Sequence, residues 1–123
     1  MNSKLKILYV DDEEINRVLF KHNFSKKYDV HSVSSGSSGL EALAKDPDIT
    51  VVISDWKMPR MNGLEFIQQA KEKFPEKKYF MLSGMEITPE IETSLESGLI
   101  INYFCKPYDE AQMEAELDQL IVK

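Results

Sequence analysis

The chain has 123 residues, of which 42% are hydrophobic and 29% are charged, and this predicts one globular domain with a core of its own. Its formal net charge of −6 argues against a nucleic-acid surface, because phosphate backbones are bound by an excess of Lys and Arg. The single cysteine, Cys105, excludes an intramolecular disulfide bond and fits a reducing compartment. Since no apolar stretch approaches the length of a transmembrane helix, we predict a cytoplasmic protein without a membrane partner.

Five short apolar runs divide the chain, and each has the length of a β-strand. The runs are LKILYV (5–10), VHSV (30–33), ITVVIS (49–54), KYFML (78–82) and INYFC (101–105). At least three of them are apolar almost throughout instead of alternating with polar residues. This pattern is typical of strands that are covered on both faces in a parallel sheet.

The segments between and after these runs show the spacing of amphipathic helices. In chain order, the residues that share a helix face are Ile15, Val18, Leu19 and His22; Leu40 and Leu43; Leu64, Ile67 and Phe74; Ile91 and Leu95; and Met113, Leu117, Leu120 and Ile121. The second helix is expected to begin at SSGSSG (34–39), whose composition predicts unusual flexibility. Thr88 and Pro89 suit the N-cap and first turn of the fourth helix, and the fifth is expected to run to Lys123.

This alternation predicts five βα units with short loops, in a single domain over residues 1–123. Such units form an α/β fold, with a parallel five-stranded sheet, helices on both faces and right-handed crossovers. In open sheets of this kind, ligands bind beyond the carboxyl ends of the strands, where the strand order reverses. We therefore expect the chemistry of this protein at that edge.

Polar side chains follow four of the five predicted strands. Asp11 and Asp12 follow the first strand and Asp55 the third, while Ser83 ends the fourth and Lys106 follows the fifth. If these strands are neighbours, three carboxylates, a hydroxyl group and an ammonium group meet at one edge. Mg²⁺ fits such a set best, because it is usually held by one or two carboxylates together with water and phosphate oxygens. Zinc fits poorly, since the chain has one cysteine and its two histidines lie away from these strand ends.

Four motifs at these strand ends carry a resemblance to a known family. They are VDDEE (10–14), SDWKMPRMNGLEF (54–66), MLSG (81–84) and YFCKP (103–107). In this order and spacing the chain resembles the response regulator receiver domains of two-component phosphorelays, of the kind found in chemotaxis regulators. The resemblance covers essentially the whole chain and implies the doubly wound flavodoxin-like (βα)5 fold with strand order 2-1-3-4-5. Gly84 departs from the alanine usual in the family, which predicts a looser loop after the fourth strand.

The resemblance also implies a role for each site residue. Asp55 would be the phospho-acceptor, Lys106 would pair with the phosphoryl group, Ser83 would move to bond it, and the ring of Tyr103 would follow Ser83. The groups that would hold Mg²⁺ are the side chains of Asp11, Asp12 and Asp55 and the backbone carbonyl of Lys57. The acid pair thus serves the metal, while Glu13 and Glu14 suit the positive end of the first helix.

A receiver domain of this kind would be a signalling module and not an enzyme, apart from catalysing its own phosphorylation and dephosphorylation. It would take the phosphoryl group from a histidine kinase or phosphotransfer protein, and a homodimer through the fourth helix, fifth strand and fifth helix is expected by analogy. No effector domain is expected in this chain. Two alternatives stay open: an Mg²⁺-dependent phosphohydrolase with an aspartyl nucleophile, and a degenerate receiver used only for docking.

Overall fold

A computed structural model describes residues 4–84 and 86–120 of the chain. Its strands are β1 (Lys6–Val10), β2 (Asp29–Val33), β3 (Val51–Ser54), β4 (Lys78–Ser83) and β5 (Asn102–Cys105). Its helices are α1 (Glu14–Phe24), α2 (Gly36–Lys45), α3 (Gly63–Lys73), α4 (Pro89–Ser97) and α5 (Glu110–Asp118). The predicted strands are confirmed to within about two residues. Helix α5 ends earlier than predicted, and the expected extension to Ile121 and Lys123 lies outside the described residues.

The described strands form one parallel sheet in the order β2-β1-β3-β4-β5. The strand order reverses next to β1, which lies between β2 and β3. This confirms the doubly wound (βα)5 architecture with the flavodoxin-like order. The carboxyl ends of β1 and β3 therefore lie side by side at the reversal point, where ligands bind in this class of sheet.

Two apolar clusters cover the two faces of the sheet. One cluster packs α2, α3 and α4 against the sheet through Leu43, Phe66 and Ile91, which are all almost fully buried. The other packs α1 and α5 on the opposite face through Phe20 and Leu117. Because both faces are covered, the inner strands β1, β3 and β4 bury nearly every side chain, and this explains their apolar runs in the sequence. The edge strands β2 and β5 leave more of their side chains partly or fully exposed.

Helix α1 buries a different face from the one that its apolar spacing indicates. The residues of the predicted face are all exposed, namely Ile15, Val18, Leu19 and His22. The buried residues are Phe20 and Phe24, and the Phe20 ring stacks on Tyr9 of β1 with its centroid 4.2 Å away. Since α1 carries apolar residues on two sides, periodicity does not decide which side faces the sheet. The side with two phenylalanines buries the larger apolar area and gains the ring stacking.

Most of the SSGSSG segment is helical, because α2 begins at Gly36. Ser35 is the N-cap, and its hydroxyl oxygen accepts a hydrogen bond from the Ser38 backbone at 3.1 Å. Gly36 and Gly39 face α3, where an added Cβ atom would lie 2.6 Å from the Met61 sulfur or 2.7 Å from the Phe66 ring. The glycines therefore allow α2 and α3 to pack closely.

Candidate functional site

The sheet register brings the polar strand ends together, as the sequence predicts. Val10 pairs with Ser54, so Asp11 and Asp55 follow neighbouring strands at the same height, and the Asp55 amide donates to the Val10 carbonyl at 2.8 Å. Ser83 pairs with Cys105, and the Lys106 amide donates to the Ser83 carbonyl at 2.9 Å. The peptide bond between Lys106 and Pro107 is cis.

Three carboxylates lie at the centre of this edge. Asp11, Asp12 and Asp55 each offer an oxygen atom, and the three atoms lie within 4.8 Å of one another. Asp11 is fully buried, Asp55 is 8% exposed and Asp12 is exposed to solvent. Such a set of close oxygen donors is the kind that a hard divalent cation takes.

The buried Asp11 carboxylate is held by three donors. Its Oδ1 atom accepts from the backbone amide of Glu13 at 3.0 Å. Its Oδ2 atom accepts from the hydroxyl group of Tyr9 at 2.6 Å and from the Lys106 ammonium group at 3.1 Å. These bonds compensate for burying a charge that would otherwise be costly.

Tyr9 is a site neighbour that the sequence reasoning missed. A signal for it was present, because Tyr9 lies two residues before Asp11 and the period of a strand places both on the same side. It is also the one hydroxyl-bearing residue in the run LKILYV. A polar atom inside a buried strand needs a hydrogen-bond partner, and the nearest same-side partner in sequence was Asp11.

Burial is the main influence on the ionisation of the Asp55 carboxyl group. Burial raises the pKa of Asp55 to about 6, with the Lys106 charge acting in the opposite direction and the Asp11 charge adding to the rise. Its Oδ1 atom accepts from the Trp56 backbone amide at 2.8 Å and lies 3.8 Å from the Lys106 Nζ atom. Above pH 6 this carboxyl group is therefore mostly ionised and able to act as a nucleophile.

Ser83 and Tyr103 continue the site along the sheet. The buried Ser83 side chain is hydrogen-bonded to Asp55 and to Tyr103, so it lies between the two. Tyr103 is 7% exposed, and burial raises the pKa of its hydroxyl group. Tyr103 therefore contacts Ser83, and Ser83 separates Tyr103 from Asp55.

The loop between β3 and α3 folds tightly behind Asp55. The Gly63 amide donates to the Trp56 carbonyl at 2.7 Å, and a Cβ atom at Gly63 would overlap the Asp55 carbonyl oxygen. Asn62 and Glu65 close a capping box at the start of α3. Lys57 lies in this loop with its side chain exposed.

Comparison with known proteins decides which family this site belongs to. The sequence profile of the response regulator receiver domain matches residues 7–118. The chain belongs to this family. A chemotaxis protein CheY homolog of Campylobacter jejuni is 30% identical to the receiver domain in an alignment of 121 positions, which covers 95% of this chain and 92% of that protein. Chemotaxis protein CheY1 of Helicobacter pylori strain J99 is 31% identical over 121 residues, covering 95% and 97% of the two chains.

Solved structures agree with this assignment. The receiver domain superposes on Vibrio cholerae chemotaxis protein CheY4 with a TM-score of 0.85 and 25% identity, covering 95% of this chain and 98% of that one. It superposes on the signal receiver domain of an HD domain-containing protein from Pseudomonas fluorescens Pf-5 with a TM-score of 0.86 and 25% identity, covering 94% and 93%. Among the described residues, none of the helices of the receiver domain is long and apolar enough to cross a membrane.

Receiver domains bind Mg²⁺ at an acidic pocket, and they interact with histidine kinases or phosphotransfer proteins. The donor set of the receiver domain fits this metal, because Asp11, Asp12 and Asp55 offer only carboxylate oxygens at close range. The expectation of Mg²⁺ chemistry is thus compatible with the residues present.

Proposed function

We propose that Asp55 accepts a phosphoryl group and carries it as an aspartyl phosphate. The observation that supports this best is a buried carboxylate at the end of β3 with Lys106 3.8 Å away and the Ser83 side chain bonded to it. An ionised Asp55 oxygen attacks the phosphorus atom, and the bond from phosphorus to the donor nitrogen breaks. That nitrogen keeps the bonding electron pair, and the donor leaves as a neutral imidazole once it is protonated.

The Mg²⁺ ligands that we propose are the Asp11, Asp12 and Asp55 side chains and the backbone carbonyl of Lys57. When bound, Mg²⁺ supplies positive charge that offsets repulsion between the carboxylates and an incoming phosphoryl group. Lys106 contributes a second positive charge, with its Nζ atom 3.8 Å from the Asp55 Oδ1 atom. Its ammonium group is only partly exposed, so water weakens its interactions less than at an open surface.

Incubation of the purified chain with Mg²⁺ and the small phosphodonor phosphoramidate, followed by intact mass measurement, tests this function. We expect a gain of one phosphoryl group that is lost on standing, and no gain when the metal is chelated. Steady release of phosphate from varied phosphate esters would instead support a phosphohydrolase. If neither phosphoramidate nor the phosphate esters react, the receiver domain would be a degenerate one that serves only for docking.

Asp12→Ala is expected to remove most of the stabilisation that the wild-type protein gains from Mg²⁺. Bound metal raises the melting temperature because it binds the folded chain, in which the three carboxylates are close together. The melting temperature should be measured with and without Mg²⁺ for wild type, Asp12→Ala and the matched control Glu14→Gln. If Mg²⁺ raises the melting temperature of Asp12→Ala as much as that of wild type but no longer raises that of Glu14→Gln, the cation binds at the first turn of α1.

We propose that the exposed face of α1 docks the phosphohistidine-bearing donor protein. Ile15, Val18 and Leu19 are 61%, 55% and 48% exposed, and their i, i+3, i+4 spacing places them side by side as an apolar patch on α1. Leu19 also lines a groove of about 480 Å³ that reaches Lys106 and Pro107. A donor whose histidine reaches Asp55 must cover the surface beside Lys106, so the apolar face and the site are parts of one surface.

Leu19→Ser is expected to slow phosphoryl transfer from a phosphohistidine protein about tenfold or more, since apolar anchors dominate such interfaces. The probe is a phosphotransfer domain, phosphorylated on histidine, that transfers to the wild-type chain. Phosphorylation by phosphoramidate should stay within twofold, because the small donor does not need this face. Ile101→Ser is the matched control, since Ile101 is also 48% exposed but precedes β5 at the far end of the sheet. Equal slowing by both variants would contradict the docking assignment.

We propose that phosphorylation is read out through Ser83 and Tyr103 on the surface formed by α4, β5 and α5. Ser83 is hydrogen-bonded to both Asp55 and Tyr103, so a phosphoryl group that attracts Ser83 alters the surroundings of the Tyr103 ring. We propose the same surface for a homodimer. A downstream partner that binds there is expected to distinguish the phosphorylated protein from the unphosphorylated one.

Residues 1–123 are proposed to form one receiver domain.

Tyr103→Ala is expected to leave phosphorylation by phosphoramidate within a few-fold of wild type. The mutant should lose much of the phosphorylation-dependent change in hydrogen exchange on α4, β5 and α5, because the ring that follows Ser83 is gone. A coupling of this kind is typically about 1–3 kcal/mol. Comparison of exchange rates before and after phosphorylation measures it. Outright loss of phosphorylation in a folded Tyr103→Ala protein would contradict this division between chemistry and signalling.

A further inference from the structure

Tyr9 is a buried residue with its hydroxyl group in the site, and no step described above uses it. The side chain is 1% exposed, and its ring stacks nearly parallel on Phe20 with an interplanar angle of 5°. This packing fixes where the hydroxyl group points. The hydroxyl group donates to the Asp11 Oδ2 atom at 2.6 Å, a short bond of the kind made to a charged acceptor.

The same Oδ2 atom of Asp11 is the nearest acceptor of Lys106. The Lys106 Nζ atom lies 3.1 Å from it and 3.8 Å from the Asp55 Oδ1 atom. Lys106 is thus shared unequally between two carboxylates and is closer to the one that does not accept the phosphoryl group. To pair with a phosphoryl group on Asp55, the ammonium group has to shift away from Asp11.

A second donor on Oδ2 weakens the hold of Asp11 on Lys106. The Tyr9 hydroxyl group takes up part of the negative charge on that oxygen and fixes the orientation of the carboxylate through a rigid ring. Without this hydroxyl group, Oδ2 would have only Lys106 as a side-chain partner in the described structure. Lys106 would then be the one side-chain donor that offsets the buried charge on Oδ2 in the described structure, so moving its ammonium group away would cost more.

We propose that Tyr9 is a positioning residue for phosphoryl transfer, because its hydroxyl group shares the Asp11 carboxylate with Lys106 and so leaves the Lys106 ammonium group free to move to the phosphoryl group. The role rests on the proposed function of Asp55. It predicts that Tyr9→Phe, which keeps the ring and its stacking on Phe20, draws Lys106 toward Asp11.

The experiment compares Tyr9→Phe with Tyr28→Phe. Tyr28 is a matched control, because it lies in the same apolar cluster, is 1% exposed and donates its hydroxyl group to another aspartate, Asp118, at 2.8 Å. Phosphorylation by phosphoramidate at saturating Mg²⁺ should be about tenfold slower in Tyr9→Phe and within twofold of wild type in Tyr28→Phe. If both variants are slowed equally, or neither is, the proposal is overturned.

A double variant separates positioning from a general structural effect. In a Lys106→Ala background, Tyr9→Phe should change the phosphorylation rate by less than about twofold, since the group it acts through is gone. If Tyr9→Phe slowed phosphorylation in the Lys106→Ala background by the same factor as in the wild-type background, Tyr9 would not act through Lys106.

A third readout does not depend on phosphorylation at all. In the metal-free protein, the side-chain ammonium resonance of Lys106 should shift and exchange more slowly with water in Tyr9→Phe, and stay as in wild type in Tyr28→Phe. If the wild-type chain takes up no phosphoryl group, the proposed function fails, while this resonance still tests whether Tyr9 controls the position of Lys106. An unchanged resonance in Tyr9→Phe overturns the proposal.

Discussion

Asp55→Asn is expected to abolish phosphorylation by both phosphoramidate and a phosphohistidine protein, with no gain of mass over many wild-type half-times. The amide is nearly isosteric with the carboxylate but is not a nucleophile, so the attacking atom is lost while the packing is kept. Intact mass measurement follows the reaction. Asp48→Asn, at an exposed aspartate outside the site, is the matched control and should react as wild type does. Uptake of a phosphoryl group by Asp55→Asn at the wild-type rate would show that another residue is the acceptor.

The same variant is expected to be more stable than wild type in the absence of metal. Folded Asp55 has a pKa raised to about 6 by burial, against 3.8 for the ordinary side chain, so between these pH values the folded state binds more protons than the unfolded state. The stability of the wild type therefore falls as the pH rises from about 4 to 6. Asp55→Asn escapes this loss, and its free energy of unfolding at pH 7.5 should exceed that of wild type by about 1–2 kcal/mol.

Urea unfolding at several pH values measures this difference. It should be full above pH 6 and vanish near pH 4, because a protonated Asp55 and an asparagine are then both uncharged. Asp48→Asn should show no such pH dependence. A difference that grows as the pH falls would mean that burial is not the dominant influence on Asp55.

Gly63→Ala is expected to lower the free energy of unfolding by about 3 kcal/mol and to slow phosphorylation about tenfold or more. The added Cβ atom would overlap the carbonyl oxygen of Asp55, which is backbone and has little freedom to move. Relief requires a shift of the start of α3 or of the β3 end, and the hydrogen bond from the Gly63 amide to the Trp56 carbonyl would be strained. A shift of the β3 end would move Asp55 relative to Lys106, which is the expected cause of the slower phosphorylation.

Gly84→Ala is the matched control for this substitution. Gly84 also lies in a loop at the carboxyl edge of the sheet, but an added Cβ atom there would have no heavy atom within 4 Å. Unfolding by urea and the phosphorylation rate should both stay near wild type. If Gly63→Ala is as stable and as reactive as Gly84→Ala, the close approach of α3 to Asp55 does not position the site.

Much of the site could be predicted from the sequence because parallel strands impose a simple rule. Strands buried on both faces must be apolar, so Asp11, Asp55 and Lys106 were conspicuous at their ends, and the ends of neighbouring parallel strands meet at one edge. The resemblance of the motifs supplied the strand order, which the structure confirms. The roles of these residues remain proposals that the experiments above test.

Side-chain partnerships could not be predicted in the same way. Asp11 accepts hydrogen bonds from Tyr9, two positions away in the sequence, and from Lys106, 95 positions away. Whether both donors reach the same carboxylate depends on side-chain positions to within tenths of an ångström. The sequence places these residues near one another. It does not fix which oxygen atom each donor takes, since that follows from how Tyr9 is packed on Phe20.

The sequence by itself determined the alternation of strands and helices, the apolar composition of the sheet and the set of polar groups at its edge. These features depend on periodicity and burial, which are local properties of the chain. Only the tertiary structure decided that α1 buries Phe20 and Phe24, that Gly36 packs against α3 and that Tyr9 donates to Asp11. Each of these depends on which surfaces of separate elements meet. Several partners are possible for a helix with apolar residues on two sides, and the same holds for a glycine-rich helix start or a buried hydroxyl group. Packing of the elements selects one of these partners.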